Sequence, residues 1–526
     1  MSPHAARASE LLPPEIYEAI IEHLPPEELQ TAILSFTRAL PISPISLHRL
    51  YQHVALRSAR SVVNFNQCLR KRPALITYIE TFSLDTWDPD ADVTVNLMAL
   101  LSPQIRQLRM FIGTTFAPEH LEEIFSKPMQ RIKIISLRFR PYVQKATYYQ
   151  FHAGSYFDST LFALSRWPED LIPSLSIIQD PLDMAIAPKG KFAQPMVFFR
   201  LDSVTKLCCS SFLRDTKHLR LRIPSRQIAR FIYSNPLSLP SITLLDLSTC
   251  HVVEADVEHL LGRLRHLEHL VLDGSPILSQ RTDLQEDENQ VQWMNLGKTL
   301  AIAGIRVARE REKKLKAWLE MNPRALTDPT APGTVEMQQQ VQKGRVSGHK
   351  KVKKGRKGLS TPTISLREST QTDTPGPTPS ASINPAEIPR IRILPPLPSI
   401  RTFCTNTPGE NSIERQNIIK ADFELGWAEG IAQLVSKRSL IKASWKNGTG
   451  MKVMFFAEDF DEEELEEIGA EIGLAGLDFV SDEKMFDMGN SDICPVLCLA
   501  GVGRKDVEHS EGCGHSFGWK AWNDEL

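Results

Sequence analysis

No apolar run of about 18 residues, the length of a membrane-spanning helix, occurs in the 526-residue chain. No membrane partner is therefore expected. The first residues, Met1-Ser2-Pro3-His4, lack the apolar stretch of a secretory signal. Without such a signal, the eight cysteines are expected as reduced thiols in the cytosol or nucleus. An excess of either charge is also missing. Lys plus Arg total 61 and Asp plus Glu 63, for a net charge of −2. That excludes a globally basic nucleic-acid binder, although not a local basic patch. There is no phosphate-binding glycine loop, no His-Glu-x-x-His pair and no dinucleotide-type glycine set. Composition is otherwise that of a globular chain, 42% hydrophobic and 24% charged.

What is present begins with two helical patterns. Ile16, Ile20 and Leu24 recur every four residues, one face of a helix, and Pro25-Pro26 stops it. A second helix carries Leu29, Ile33, Phe36 and Leu40 on one side, ended by Pro41 and Pro44. From about residue 50 a different rhythm takes over: apolar, two residues, apolar, one residue, apolar. Its central positions are Val54, Phe82, Leu108, Ile135, Leu175, Leu219, Leu245 and Leu270. Five of their seven intervals fall between 25 and 28 residues, inside the roughly 20–29-residue period of leucine-rich repeats. The clearest copy is Ile242-x-x-Leu245-x-Leu247-x-x-Cys250-x-Val252. One such unit cannot bury its apolar face alone, so units must stack.

Residues 300–320 read as a charged, partly exposed helix around Arg309-Glu310-Arg311-Glu312-Lys313-Lys314. Segment 361–398 holds nine prolines and ten Ser or Thr, a composition that cannot offset its ordering entropy and is expected to be disordered. Order is expected again near Ile393, with a repeat-like strand ending at Phe403. A helix of about 20 residues bearing Phe423, Trp427, Ile431 and Leu434 then caps the open end. Nine acids lie between Glu458 and Glu471.

Candidate chemistry is sparse. Gly514-His515-Ser516-Phe517-Gly518 has the spacing of a nucleophile elbow, but no His follows Ser516 to complete a triad. Cys494, Cys498, His509, Cys513 and His515 lie close in sequence and include enough donors for tetrahedral zinc. Cys494 and Cys498, however, fall in a strand-like run where side chains four apart are about 13 Å apart. Buried thiols are the expected reading, with no metal and no cofactor. His266 and His269 are expected to face solvent. The run from Lys343 to Lys357 has eight Lys or Arg and no acid, which fits an import signal or a charged linker, with nucleic-acid contact less expected.

Leu12-Pro13-Pro14-Glu15-Ile16, followed by Ile20, Leu24-Pro25, Glu28-Leu29, Leu34 and Thr37-Arg38, resembles the F-box. The whole chain is similar to F-box proteins with leucine-rich repeats from mushroom-type fungi. The resemblance implies a substrate-recognition subunit of a Skp–cullin–F-box ubiquitin ligase. It would bind the Skp-type adaptor and cullin core through the F-box, and an unidentified protein substrate through the repeats. Leu12, Pro13, Ile16 and Leu29 are the implied adaptor contacts, and no residue is catalytic. Other readings are a nuclear scaffold with a degenerate F-box, or an enzyme sited in residues 400–526. The expected fold is α/β: an N-terminal helical F-box (10–48), a leucine-rich-repeat-like solenoid (50–327), a disordered basic and Pro/Ser/Thr-rich insertion (328–393), and a C-terminal strand, capping helix and α+β tail (394–526). The expected location is nuclear or cytoplasmic.

Overall fold

The computed structural model of the chain describes residues 13–24, 26–39, 47–140, 157–169, 174–181, 197–235, 238–277, 286–321, 390–406, 412–447, 451–456, 477–488, 493–501 and 509–524. The basic run 343–357 and nearly all of 328–393 lie outside them.

Three helices open the described chain: α1 (Pro14–Glu22), α2 (Pro26–Ala39) and α3 (Leu47–Gln52). Strand and helix then alternate: β1 (His53–Leu56), α4 (Ala59–Lys71), β2 (Thr81–Leu84), α5 (Ala91–Leu101), β3 (Gln107–Ile112), α6 (Pro118–Phe125) and β4 (Ile134–Phe139). The alternation continues with α7 (Asp158–Leu164), β5 (Ser174–Gln179), α8 (Asp202–Cys208), β6 (His218–Arg222), α9 (Ala229–Tyr233), β7 (Leu244–Asp246), α10 (Glu254–Arg263) and β8 (His269–Val271). Local sequence starts these helices. The Ser58 side chain accepts from the Ser61 N–H and Asp90 from the Val93 N–H, each satisfying a donor that the first turn leaves open. Pro118 supplies a preset φ at the start of α6.

Ten strands form one parallel sheet in the order β1-β2-β3-β4-β5-β6-β7-β8-β10-β13, where β10 is Thr402–Cys404 and β13 is Val496–Cys498. The eight central residues of the sequence rhythm are register partners in a single row. Phe403 and Leu497 extend that row to both added strands. All ten belong to one core, beneath the helices that pack side by side over this face.

This overturns the expected fold class. The protein is not an N-terminal F-box bundle followed by a leucine-rich solenoid. It is a large parallel ten-stranded sheet with alternating helices, an α/β protein that is Rossmann-like in that alternation. Its strands nevertheless follow chain order without the reversal found in doubly wound sheets. The physical reason is that the apolar spacing reports only a short strand buried on one face and a helix returning over it. Every parallel β–α unit meets that demand. At the N-terminus, α2 packs on α3 and β1, so this helical segment joins the sheet's first edge.

Two long helices complete the helical layer: α11 (Glu286–Met321) and α12 (Ile413–Lys446). The expected capping helix is α12, at 34 residues, and it lies against α11. Their close approach depends on glycine. A Cβ on Gly426 would fall on the carbonyl oxygen of Met294, and one on Gly297 on that of Phe423. A second sheet, β12-β11-β9, joins β9 (Ile391–Ile393) in parallel and β12 (Leu477–Phe479) in antiparallel to β11 (Lys452–Phe456). The last helix, α13 (Gly514–Trp522), touches β4, β5, β7, β8 and β10. It covers the face opposite the helical layer, where Leu244, Val271, Cys404, Cys498 and Trp522 form a separate small core. Among the described residues, no helix is long and apolar enough to cross a membrane.

Candidate functional site

Of the four implied adaptor contacts, Leu12 lies outside the described residues, Pro13 and Ile16 are exposed, and Leu29 is half-buried. Pro13 caps α1 with φ −58° and ψ 148°. The helix divides its apolar residues into two stripes. Tyr17 and Ile21, four apart, are buried, while Ile16 and Ile20, also four apart, are 45% and 40% exposed. Leu24 is half-buried, so it does not continue the Ile16–Ile20 stripe outward. On α2, Ile33 is fully buried and Leu34 is exposed.

The open face of the sheet has a different chemistry. Side chains alternate along each strand, so the residues flanking the apolar row point away from the helices. Towards the N-terminal end these include Arg109 and Phe111 on β3 and Arg138 on β4. Trp87 stacks on Phe111 with centroids 4.7 Å apart, and Arg138 and Arg140 lie 5.9 and 4.8 Å from the Trp87 ring. Arg138 Nε donates to Asp180 Oδ1 at 2.7 Å.

In the middle of this face the charges are buried. Arg220 donates through Nη1 to Asp524 Oδ1 at 2.9 Å and through Nε to Ser176 Oγ at 2.8 Å, and its Nη2 meets Asp524 Oδ2. Its guanidinium lies over the Trp522 ring at 4.4 Å, and the Trp522 indole donates to the Leu175 carbonyl at 3.2 Å. Arg222 Nη2 donates to Asp246 Oδ2 at 2.6 Å. Burial would raise the Asp246 carboxyl, but Arg222 outweighs it and holds the carboxyl below its usual range. The Arg220–Asp524 and Trp522–Leu175 contacts seat α13 on the sheet, and the Arg222–Asp246 pair ties β6 to β7 beneath it. His269, expected in solvent, is buried instead, because Phe517 of α13 stacks on it at 4.0 Å. His269 Nδ1 lies 2.9 Å from Thr402 Oγ1. Burial, with Arg401 and His218 nearby, lowers its pKa to about 4. His266 is exposed.

At the β10–β13 end, four donors converge. Cys404, Cys498, Cys513 and His515 are all buried, and their ligand atoms lie within 4.8 Å of one another. Cys404 and Cys498 are register partners on adjacent strands and so share a face. Cys513 caps α13, and His515 stands in its first turn. His515 Nδ1 is 3.5 Å from Cys498 Sγ and 3.8 Å from Cys513 Sγ. Its Nε2 lies 2.7 Å from Asp273 Oδ2, a carboxylate that assigns the proton to that nitrogen. Gly514 permits this approach, since a Cβ there would sit 3.1 Å from Cys404 Sγ and 3.0 Å from Thr402 Oγ1.

The electrostatics of the cluster follow from these contacts. Hydrogen bonding from Cys404 lowers Cys498 to about 7 and lowers Cys513 as well. Burial raises Cys404 well above the ordinary thiol value. For His515, burial opposes the charge, but Asp273 and the two thiols outweigh it and raise the imidazole to about 12.

The structure brings together Cys498, Cys513 and His515 from the sequence-derived group and adds Cys404, which that reading did not include. It leaves out Cys494, half-buried apart from the cluster, its thiol raised to about 12 by burial. A signal for Cys404 existed. Phe403 ends a strand-like run, and the next residue of a strand points to the opposite face, where Cys498 lies after Leu497. Ser516 stands inside α13, with its Oγ donating to the Cys513 carbonyl at 2.7 Å. It therefore does not sit on the exposed strand-to-helix turn of a nucleophile elbow. Fold and site together define a parallel α/β protein with a charged open face and a buried centre of three sulfurs and one imidazole. No protein-family model matches the chain, and no curated protein matches it.

Proposed function

We propose that this chain is a non-catalytic recognition subunit of a Skp–cullin–F-box type ubiquitin ligase, working in the nucleus or cytoplasm. The N-terminal helices dock the Skp-type adaptor, and the open face of the sheet receives a protein substrate. One observation carries the reading: α1 anchors itself through buried Tyr17 and Ile21 while turning Ile16 and Ile20 outward. Two outward isoleucines four residues apart form a helix-in-groove contact stripe. They lie within the segment whose residues, Leu12 to Arg38, carry the sequence resemblance. The half-buried Trp87 and Phe111, with Arg109 and Arg138 beside them, suit the recognition of a protein surface, where aromatic and arginine anchors dominate.

The test is co-purification of the full chain with the Skp-type adaptor, compared with a Pro13→Ala/Ile16→Ala variant. Loss of a central anchor weakens binding by about 2 kcal/mol, roughly thirtyfold. Circular dichroism must show both proteins folded. Failure of the unaltered chain to co-purify removes the ligase reading.

A further inference from the structure

We propose that Cys404, Cys498, Cys513 and His515 bind one Zn2+ ion in a closed, structural Cys3His site. This does not rest on the docking reading above. In a tetrahedral shell with Zn–S about 2.3 Å and Zn–N about 2.0–2.1 Å, sulfur and nitrogen stand about 3.6 Å apart. The two S–N separations here, 3.5 and 3.8 Å, bracket that value. Three sulfurs and one nitrogen are a soft donor set, which selects zinc over the oxygen-seeking Mg2+ and Ca2+. All four donors come from protein and all are buried, leaving no open position for a reacting water.

The surroundings match a metal centre at the next level. A metal-binding imidazole uses one nitrogen as ligand and donates the other N–H to a carboxylate, which fixes the tautomer and ring orientation. His515 has that arrangement, with Nδ1 towards the sulfurs and Nε2 on Asp273. Asp273 lies 242 residues away in sequence and is itself buried. Burying a carboxylate–imidazole pair against three thiols is costly for a group that only fills a core.

Ordinary buried cysteine in this molecule looks different. Cys250 accepts from the Ile223 N–H and donates to the Leu221 carbonyl, so backbone satisfies it. Cys404, Cys498 and Cys513 are turned towards one another, with backbone hydrogen bonds from Ala500 to Cys498 and from Ser516 to Cys513 beside them. Binding displaces to solvent the protons still held by the three sulfurs and by His515 Nδ1, and leaves three Zn–thiolate bonds and one Zn–N bond, with no change of oxidation state.

His509 stands beside the site. Its Nδ1 lies 3.7 Å from Cys498 Sγ and 3.8 Å from Cys513 Sγ, and its Nε2 is buried without a hydrogen-bond partner. It falls outside the set of mutually close donors, which assigns the fourth ligand to His515. The ion would join β10, β13 and the start of α13, pinning the last helix to the open face.

The full-length chain, purified without chelator, should hold about one equivalent of zinc by mass spectrometry of the metal. After removal by a strong chelator, Co2+ added alone should give the thiolate-to-cobalt charge-transfer and intense ligand-field bands of a tetrahedral site. Cys513→Ser and His515→Ala should bring zinc below about a tenth of an equivalent, and His509→Ala should keep it. The unaltered protein keeps the proposal falsifiable if a variant does not fold. Folded full-length protein that takes up neither Zn2+ nor Co2+, or that holds a disulfide among these cysteines, overturns the site. Zinc lost with His509→Ala but retained with His515→Ala overturns the ligand assignment.

Discussion

The two faces of the large sheet solve the burial problem in opposite ways. Under the helices, ten apolar side chains from Val54 to Leu497 stand in one register row and bury against leucine, isoleucine and phenylalanine. Hydrophobic burial of this kind is non-directional, so many sequences satisfy it. On the other face, α13 is held by specific pairs: Arg220 with Asp524, His515 with Asp273, and the Trp522 indole with the Leu175 carbonyl. Buried charges tolerate no unpaired partner. The apolar face therefore gives the sheet its bulk stability, and the charged face decides which single element can close it.

The sharpest way to break that contrast is to remove one half of a buried ion pair. Asp524→Ala takes from the fully buried Arg220 guanidinium the carboxylate that its Nη1 and Nη2 both meet. It should destabilise the chain by about 3–5 kcal/mol, read as a lower denaturation midpoint in urea. Arg220→Met combined with Asp524→Leu should recover most of that loss, because an apolar pair of similar volume does not need a partner. A double variant as unstable as the single one would place the effect in packing and erase the distinction.

The apolar face offers the comparison at slightly lower magnitude. Leu245→Ala, at the centre of the row and fully buried, should cost about 2–5 kcal/mol through transfer and cavity terms. Unlike Asp524→Ala, no second substitution of charge should restore it. Equal rescue by any partner change would contradict the two-face account.

A pH dependence sharpens the contrast further. Burial, with Arg401 and His218 beside it, lowers the pKa of His269 on the charged face from its ordinary 6.5 to about 4, although the Glu268 carboxylate lies at 3.9 Å. Between those values the unfolded chain binds a proton that the folded chain does not. Stability from this group is therefore full above about pH 6.5 and falls as pH drops towards 4. Urea midpoints across that window should decline, and His269→Leu should flatten the decline. An unchanged slope would assign the acid sensitivity elsewhere.

The smallest effect belongs to α1. Ile21→Ala, nearly fully buried, should lower stability by about 2 kcal/mol or more. Ile16→Ala, on the exposed stripe, should change it by less than about 0.5 kcal/mol while weakening adaptor capture. Equal losses in a thermal melt would mean that the outward stripe is structural.

Much of the helix-covered face was legible in the sequence. Val54, Phe82, Leu108, Ile135, Leu175, Leu219, Leu245 and Leu270 announce themselves because a strand buried on one side places apolar residues at fixed offsets, and the next unit repeats the demand. The strand-like run ending at Phe403 is legible for the same reason. The same spacing did not identify the fold, since it describes a β–α unit and not the way units are assembled. The lengths of α11 and α12 were also hidden. Their crossing rests on Gly297 and Gly426 meeting opposite backbone, a contact between segments far apart in the chain.

What the sequence by itself determined is the local pattern: where strands start, where Ser58, Asp90 and Pro118 begin helices, and which side of each strand is apolar. Those are properties of neighbouring residues, set by strand alternation and by the donors that a helix start leaves open. Only the tertiary structure decided what the opposite face does. Arg220 and Asp524 are 304 residues apart, His515 and Asp273 are 242 apart, and Cys404 meets Cys498 only through the pairing of β10 with β13. A charge or a thiol in a sequence carries no mark of its partner. The partner exists once folding has removed water from both groups and brought them within reach of each other.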